Sequence, residues 1–463
     1  MSVTVDQVPP PVGEPSARAA GPSGRHRPHR WVPDAALVVV GLGLGATTGL
    51  AITAETHGAL ASRGGPATFA GSITGLVGMY LALVMVLLVS RIPLIERVLG
   101  LDGLLRWHRW LSPWPLSLIG LHAVLVTIGY AQASKNGIGH ELGTMLNDYP
   151  GLLTATIALG LMALAGIVSI RALRMRLRRE TWWTIHLVMY LALALSFSHV
   201  IALGPTFVEH PLLQLIWTLL WIATAGVVLA FRFGLPAFRT LRHRVRVVEV
   251  RREAHDVVSV LCEGRALDRL PAACGQFLCW RFLQGGIWWQ AHPYSLSARP
   301  TKSHLRLTVK NLGDHSGGLA RLKPGTRVVI EGPYGAFTAD AALRERAALI
   351  AGGIGVTATR ALLEDLPRST RPIVILRVTH PSVAVLATEL AELARQRGGK
   401  LHVIAGPRSQ VRFDSGTLKR LVPGLMERDI YICGRQSFVH HVVELVSDLG
   451  VPSDAVHHEA YSL

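Results

Sequence analysis

The chain has 463 residues, too many for one core, and is 50% hydrophobic and only 17% charged, which excludes an ordinary soluble domain and points to a chain partly buried in lipid. Its formal charge of +17 would suit a nucleic-acid binder, but the arginines flank apolar runs instead of forming one basic stripe, which excludes that class. The four cysteines, Cys262, Cys274, Cys279 and Cys433, do not make a disulfide framework, and Cys274 and Cys279 lack the second pair a zinc site needs.

Residues 1–33 are rich in Pro, Gly, Ala and Arg and read as a disordered cytoplasmic tail without a cleavable signal. Six apolar segments follow within 34–235, each near the ~20 residues a bilayer span needs. They run from Asp34 to Ala54, Ser72 to Ser90, Trp107 to Ala131, Leu152 to Ile170, Thr184 to Leu203 and Pro211 to Phe231. The loops after the second, fourth and sixth carry the arginines: Arg91, Arg97, Arg106 and Arg109; Arg171, Arg174, Arg176, Arg178 and Arg179; Arg232, Arg239, Arg242 and Arg244. The other loops hold only Arg63 and Lys135. The positive-inside rule therefore predicts an integral plasma-membrane protein with six spans and both termini cytoplasmic.

The third span carries His108 and His122, and the fifth carries His186 and His199. Imidazoles inside a bilayer are costly and usually face a bundle interior with a partner. Fourteen residues advance a helix by ~21 Å and return it to within ~40° of the same face, and thirteen advance it by ~20 Å. His108 can thus face His186 near the inner leaflet, and His122 can face His199 near the outer one. Paired imidazoles at two depths are what two six-coordinate b-type haems require. Packing or interfacial histidines are the alternative. A single zinc is the weaker rival, because pairs ~20 Å apart cannot share one tetrahedral ion. In an ideal helix the thirteen-residue spacing also leaves the second imidazole ~140° from the first, which tilt or tighter winding must absorb.

Beyond about Arg242 the texture changes. Strand-like stretches at 244–250, 257–262, 305–309 and 327–331 predict a small antiparallel barrel over 242–340. A strand, glycine loop, helix, strand pattern then predicts an open α/β domain over 341–463, with strands near 347–351, 373–378, 402–405 and 430–433. In the barrel, His292, Pro293, Tyr294, Ser295 and Ser297 form a strand edge whose aromatic ring and hydroxyls suit a flavin. Gly313, Ser316, Gly317 and Gly318 open a short helix whose N–H groups suit a pyrophosphate. Gly352, Gly353, Gly355, Val356 and Thr357 lie between a strand and a helix, where a nucleotide phosphate can approach the backbone. Cys433 and Gly434 end a later strand on the same carboxyl edge.

In order and spacing, HPYS, GDHSGGL, GPYG, AGGIGVT, YICG and the terminal EAYSL resemble the ferredoxin–NADP reductase-like module. Preceded by six spans with paired histidines, the chain resembles the ferric reductase/NADPH oxidase superfamily, and most closely its bacterial members. The resemblance implies a membrane α-helical bundle holding two b-haems, fused to a β-barrel FAD domain and an α/β nucleotide-binding domain. It implies His108 with His186 and His122 with His199 as haem ligands, the 292–297 and 313–318 residues on FAD, and Gly352–Thr357 on the dinucleotide. Cys433 would lie near the nicotinamide, and Tyr461 would shield the flavin. Hydride would pass from NADPH to FAD, then single electrons through both haems to an external acceptor.

Two departures from the family pattern stand out. His292 replaces the Arg of soluble reductases, as in the membrane oxidases, and Arg435 follows Cys433-Gly434 where the family has Pro. Arg377 and Arg408 are candidate clamps for a 2′-phosphate, favouring NADPH over NADH. Superoxide-forming eukaryotic oxidases carry a second histidine one turn beyond the outer ligand; here that place holds Val126, and His140 and His210 lie in outer loops. The acceptor is expected to be oxygen, giving superoxide. A ferric or cupric chelate is the alternative, and a haem redox sensor or partner-serving carrier the third reading. No nucleic-acid partner is expected, and the oligomeric state is open.

Overall fold

The computed structural model describes residues 31–53, 60–177, 179–203, 207, 210–407 and 409–461. Six helices are long and apolar enough to cross a membrane, spanning Asp34–Thr53, Gly65–Leu88, Gly103–Ser134, Leu152–Ser169, Thr181–Ile201 and Pro211–His243. The helices are α1 (Trp31–Thr53), α2 (Gly65–Leu88), α3 (Pro93–Leu99), α4 (Leu101–Leu111), α5 (Pro113–Ser134), α6 (Ile138–Asp148), α7 (Leu152–Ser169), α8 (Arg179–Leu203), α9 (Pro211–Val228) and α10 (Leu235–His243). The first begins three residues before the expected boundary at Asp34.

The third span is not one uniform helix, as the sequence reading assumed. It breaks into α4 and α5 at Ser112. Pro113 and Pro115 have no N–H for the carbonyls one turn back, and the Ser112 hydroxyl donates to Arg109 O at 3.1 Å instead. His108 lies on α4 and His122 on α5, on either side of this proline joint, whereas His186 and His199 share the continuous α8.

The sixth span is 33 residues long, or ~50 Å of helix, well beyond a ~30 Å hydrocarbon core. Pro236 cannot donate to Arg232, and the helix widens into a π-turn over Leu229–Gly234 before α10 continues. This rod runs directly into the barrel, where Arg239 donates to Gly332 O.

The barrel consists of two three-stranded antiparallel sheets. Strands β1 (Arg246–Ala254), β2 (Val257–Glu263) and β5 (His304–Lys310) form one; β4 (His292–Ser295), β3 (Phe277–Phe282) and β6 (Val328–Tyr334) form the other. Bridges Arg246↔Arg327 and Leu296↔Leu307 close the edges, and the short helix α11 (Asp314–Gly318) follows β5. Alternate residues of β3 and β6 point inward, so Leu278, Trp280, Phe282 and Ile330 fill the interior with Val260, Leu305 and Leu307.

The last domain is a five-stranded parallel sheet in the order β11-β10-β7-β8-β9. Its strands are β7 (Arg346–Gly352), β8 (Ile373–Val378), β9 (Lys400–Ala405), β10 (Arg428–Arg435) and β11 (Val456–Tyr461). Helices α12 (Val356–Asp365), α13 (Ala387–Gln396), α14 (Ser415–Leu421) and α15 (Gln436–Asp448) follow the first four strands. β7, β8 and β10 are buried along nearly their whole length, as a doubly covered parallel sheet requires. β11 was not among the expected strands. It pairs in parallel with β10 and brings the chain's end onto the carboxyl edge of the sheet.

Trp280 is fully buried and its indole donates to Tyr294 O at 3.0 Å. Trp280→Ala should destabilise the barrel by about 3–5 kcal/mol. Tryptophan fluorescence and circular dichroism should report a lower unfolding midpoint for the module, with membrane insertion retained. An unchanged midpoint would contradict this core assignment.

Candidate functional site

The structure brings the four intramembrane histidines together in the expected pairs. His108 on α4 and His186 on α8 have ring centroids 6.2 Å apart, and His122 on α5 and His199 on α8 are likewise 6.2 Å apart. An ion accepting one nitrogen from each ring at about 2 Å separates the centroids by about 6 Å, so both pairs suit a group held by two opposed imidazoles. Among the described residues no cluster of three or more His, Cys, Asp or Glu could hold a metal ion, which leaves the pairs as two-ligand sites.

The imidazoles are held from behind. His122 Nδ1 donates to Gly71 O at 2.9 Å, and His108 Nδ1 to Met85 O at 3.3 Å. Fixing Nδ1 leaves Nε2 directed at the opposite ring. His186 stacks on Trp182 at 5.1 Å, its Nδ1 lies 3.4 Å from Ser169 Oγ, and that oxygen also accepts from Trp182 Nε1 at 3.2 Å. His199 Nδ1 is buried and has no partner among the described residues.

Glycines make this closeness work. A Cβ on Gly75 would press into the His122 ring, and one on Gly71 into Val126. The α2 face that meets α5 is thus stripped to Gly71, Gly75 and Gly78, the small-residue spacing that lets membrane helices approach. Gly75, Ser169 and Trp182 were missed by sequence reasoning, although the glycine spacing was a usable signal. In the connections after the third and fifth spans, His140 and His210 are exposed. Glu141 is turned inward, accepting from Ser134 Oγ at 2.6 Å and Asn136 Nδ2 at 3.3 Å.

The second centre lies where the barrel meets the parallel sheet. Ser295 on β4 places its Oγ 3.2 Å from Glu459 Oε1 and 3.1 Å from the Tyr461 hydroxyl, and Cys433 Sγ lies 3.3 Å from that same hydroxyl. β10 and β11 run in register, Cys433 opposite Glu459. Gly355 allows the loop after β7 to lie on the end of β10, since a Cβ there would strike the Cys433 carbonyl. Four residues distant in sequence therefore converge; Glu459 was not singled out beforehand, although it stands in the terminal EAYSL. Burial pushes the Cys433 thiol and the Tyr461 phenol well up from their ordinary values.

The remaining candidates divide. His292 stacks on Tyr294 at 6.2 Å and meets Gln290 Oε1 at 3.2 Å, with Pro293 exposed beside them. Ser316 Oγ closes its own turn, accepting from Leu312 N at 2.8 Å and donating to Gly313 O at 3.2 Å; Gly317 and Gly318 complete the short helix Asp314–Gly318. Val356 and Thr357 bury their side chains, so they offer a ligand backbone N–H groups only. Gly353, at φ +54°, has open space where a side chain would stand. Gly434 packs against Phe438 and Gly352.

Two expectations need correcting. Ser297 is fully buried, and its hydroxyl accepts from Thr308 Oγ1 at 2.9 Å and Arg306 Nε at 3.2 Å; it belongs to the barrel interior and not to a cofactor surface. Arg377 is buried on β8, with its guanidinium on the carbonyls of Val378, Ile404, Gly406 and Val411; it anchors the loop after β9 and does not clamp a phosphate. Arg408 lies outside the described residues.

Comparison with known proteins places both centres in a context. Residues 74–197 match the ferric reductase-like transmembrane component and residues 242–338 an FAD-binding domain. The first match contains His108, His122 and His186 and stops just short of His199. A flavohemoprotein of Bacillus subtilis is 27% identical over 237 residues, 46% of this chain and 58% of that protein. An NADPH oxidoreductase of Mycobacterium tuberculosis is 27% identical over 245 residues, 49% of this chain and 62% of that protein. The chain thus spans about three-fifths of these relatives' length. Among solved structures, the flavohem-like FAD/NAD-binding domain of nitric oxide dioxygenase from Vibrio cholerae is 23% identical with a TM-score of 0.40, covering 47% of this chain and 98% of that one.

The raised Cys433 value yields a reactivity prediction. An unfolded thiol ionises near 8.5, whereas the buried one keeps its proton well above that. At pH 8.5 iodoacetamide should leave Cys433 unmodified in the native protein and alkylate it after unfolding, as read by peptide mass spectrometry. Because the folded value is the higher one, the thiol's contribution to stability is complete below about 8.5 and declines as pH rises towards the folded value. Rapid native alkylation would contradict the burial.

Proposed function

We propose that the chain is a member of the ferric reductase/NADPH oxidase superfamily, on the matches of residues 74–197 and 242–338, and that it carries electrons across the membrane from cytosolic NADPH to an acceptor on the far side. The observation that carries this reading is the pair of imidazole pairs, each 6.2 Å between centroids, stacked along the same two spans. His108 with His186, and His122 with His199, would hold two b-type haems. When bound, FAD would supply the conversion between two-electron hydride chemistry and single-electron chemistry, and the haems would supply one-electron carriers.

The chain's own residues position the partners. Ser295 and the Tyr461 ring border the flavin face, and Cys433 stands on the sheet edge where the nicotinamide would enter. His292 and Tyr294 form the stacked edge beside it. The glycine loop at 352–355 and the first N–H groups of α12 receive the dinucleotide phosphates. The arginine-bearing loops lie on the module's side of the bundle, where Arg91 sits over the Tyr334 ring at 4.6 Å; with the positive-inside rule, this supports a cytoplasmic module. NADPH remains the preferred donor, with 2′-phosphate selection assigned to the loop that Arg377 holds.

Oxygen, reduced to superoxide, is the proposed acceptor, because Glu141 is occupied internally and the exposed His140 and His210 do not form a metal-chelate site with it. Ferric or cupric chelate reduction is the competing reading. Purified protein should show a bis-histidine b-haem spectrum that NADPH reduces anaerobically. His122→Ala or His199→Ala should each lose one of the two haems by pyridine haemochrome assay; full retention in both would sink the ligand assignment. Turnover that superoxide dismutase abolishes in a cytochrome c assay supports oxygen as acceptor, whereas dismutase-insensitive ferric-chelate reduction supports the alternative.

A further inference from the structure

A chain of ionic contacts crosses from the barrel to the parallel-sheet domain. Arg306, on β5, grips Glu389 of α13 with two nitrogens, Nη1 to Oε1 at 3.0 Å and Nη2 to Oε2 at 2.8 Å. The same Glu389 Oε2 accepts Arg360 Nε of α12 at 2.8 Å. Arg360 continues to Glu364, which accepts the backbone N–H of Arg299 at 2.7 Å, and the Arg299 side chain pairs with Asp365 at 3.1 Å. Three arginines thus meet three carboxylates at the domain boundary, with Arg306 and Arg299 reaching across it from the barrel.

The two ends of this chain are the two halves of the proposed redox centre. On the barrel side, Arg306 Nη2 donates to Ser297 O at 2.8 Å and Nε to Ser297 Oγ at 3.2 Å. Ser297 lies two residues beyond Ser295 on the segment proposed to border the flavin. On the other side, Arg360 sits one turn into α12, the helix that opens on the glycine loop proposed to receive the dinucleotide. We propose that the Arg306–Glu389–Arg360 clasp is the positioning device that sets the flavin strand and the dinucleotide loop at hydride-transfer distance. The proposal rests on the FAD and NADPH assignments above.

The geometry favours a contribution beyond that of an ordinary surface pair. The Arg306, Glu389 and Arg360 side chains keep only 16%, 31% and 11% of their exposure, so solvent and salt screen them less than a surface pair. Bidentate guanidinium–carboxylate contacts also fix direction as well as distance. Burial works against the Glu389 charge, and the bonds from Arg306 and Arg360 outweigh it, holding the carboxyl below its usual range. The clasp is therefore ionised above the usual carboxylate range and is lost only as pH falls through the lowered value. Hydride transfer is steeply sensitive to placement, with ångström shifts costing up to about a hundredfold in rate.

The test uses the full chain in lipid nanodiscs, loaded with FAD and haem. Anaerobic stopped-flow would follow flavin reduction by NADPH, and dithionite would reduce the haems independently of the nicotinamide domain. Glu389→Gln should slow flavin reduction about tenfold while flavin content and dithionite-driven haem reduction match the parent. Arg306→Ala should do likewise, and the double variant should be slowed by less than the product of the two single effects, because the Arg306–Glu389 contact is common to both. A parental flavin-reduction rate in Glu389→Gln, or slowdowns that multiply in the double variant, would overturn the clasp. Failure of the parent protein itself to bind FAD or accept electrons from NADPH would instead reject the proposed function.

Discussion

Two pairs of imidazoles buried in apolar helices are the constraint on which the membrane half depends. A polar ring in hydrocarbon has no water to satisfy it, so each nitrogen needs a protein or ligand partner. Three of the four histidines meet this need at Nδ1, using Gly71 O, Met85 O and Ser169 Oγ. Those contacts determine what must surround them. Gly75 is bare because the His122 ring occupies the place of its side chain. The close packing of α2 on α5 thus follows from placing an imidazole between them.

The soluble half solves a different problem, the meeting of two separately folded domains at one small centre. Here too glycine creates the approach: Gly355 against Cys433 and Gly434 against Gly352 let loop and strand end touch. The partners that converge there arrive from β4, β10 and β11, so none of them is well placed unless the barrel and the parallel sheet keep a fixed relation. The long sixth span performs the corresponding service between membrane and barrel, because a continuous helical rod transmits position better than a flexible linker.

Much of this was legible in the sequence because it is periodic or compositional. The spans follow from apolar length, and the histidine pairs from spacing within those spans. What was not legible depends on closure. Ser295 and Ser297 lie two apart on one strand face, and nothing in HPYSLS says that the Leu296↔Leu307 bridge carries Ser297 beneath Arg306 and out of reach of a ligand. Arg377 resembles a phosphate clamp because a strand-end arginine near a nucleotide loop often is one; only the fold reveals four carbonyls waiting for it, two of them, Gly406 and Val411, in the loop after β9. β11 escaped notice because VHHEAY has neither an apolar run nor clean alternation, and it becomes a strand through pairing with β10.

These two halves use opposite means to hold distance, and the difference has a physical reason. In lipid, ionic contacts are costly to bury and hydrophobic segregation between helices is absent, so backbone proximity through small residues is the economical way to fix a helix pair. At the boundary between two domains outside the membrane, water would loosen a neutral contact, and a partly buried bidentate ion pair gives direction that apolar packing lacks. An electron carrier needs both kinds, since each transfer along the chain depends on separation but crosses a different medium. The position of His122 against Gly75 and the position of Ser297 beneath Arg306 are therefore the same design requirement met in lipid and in water.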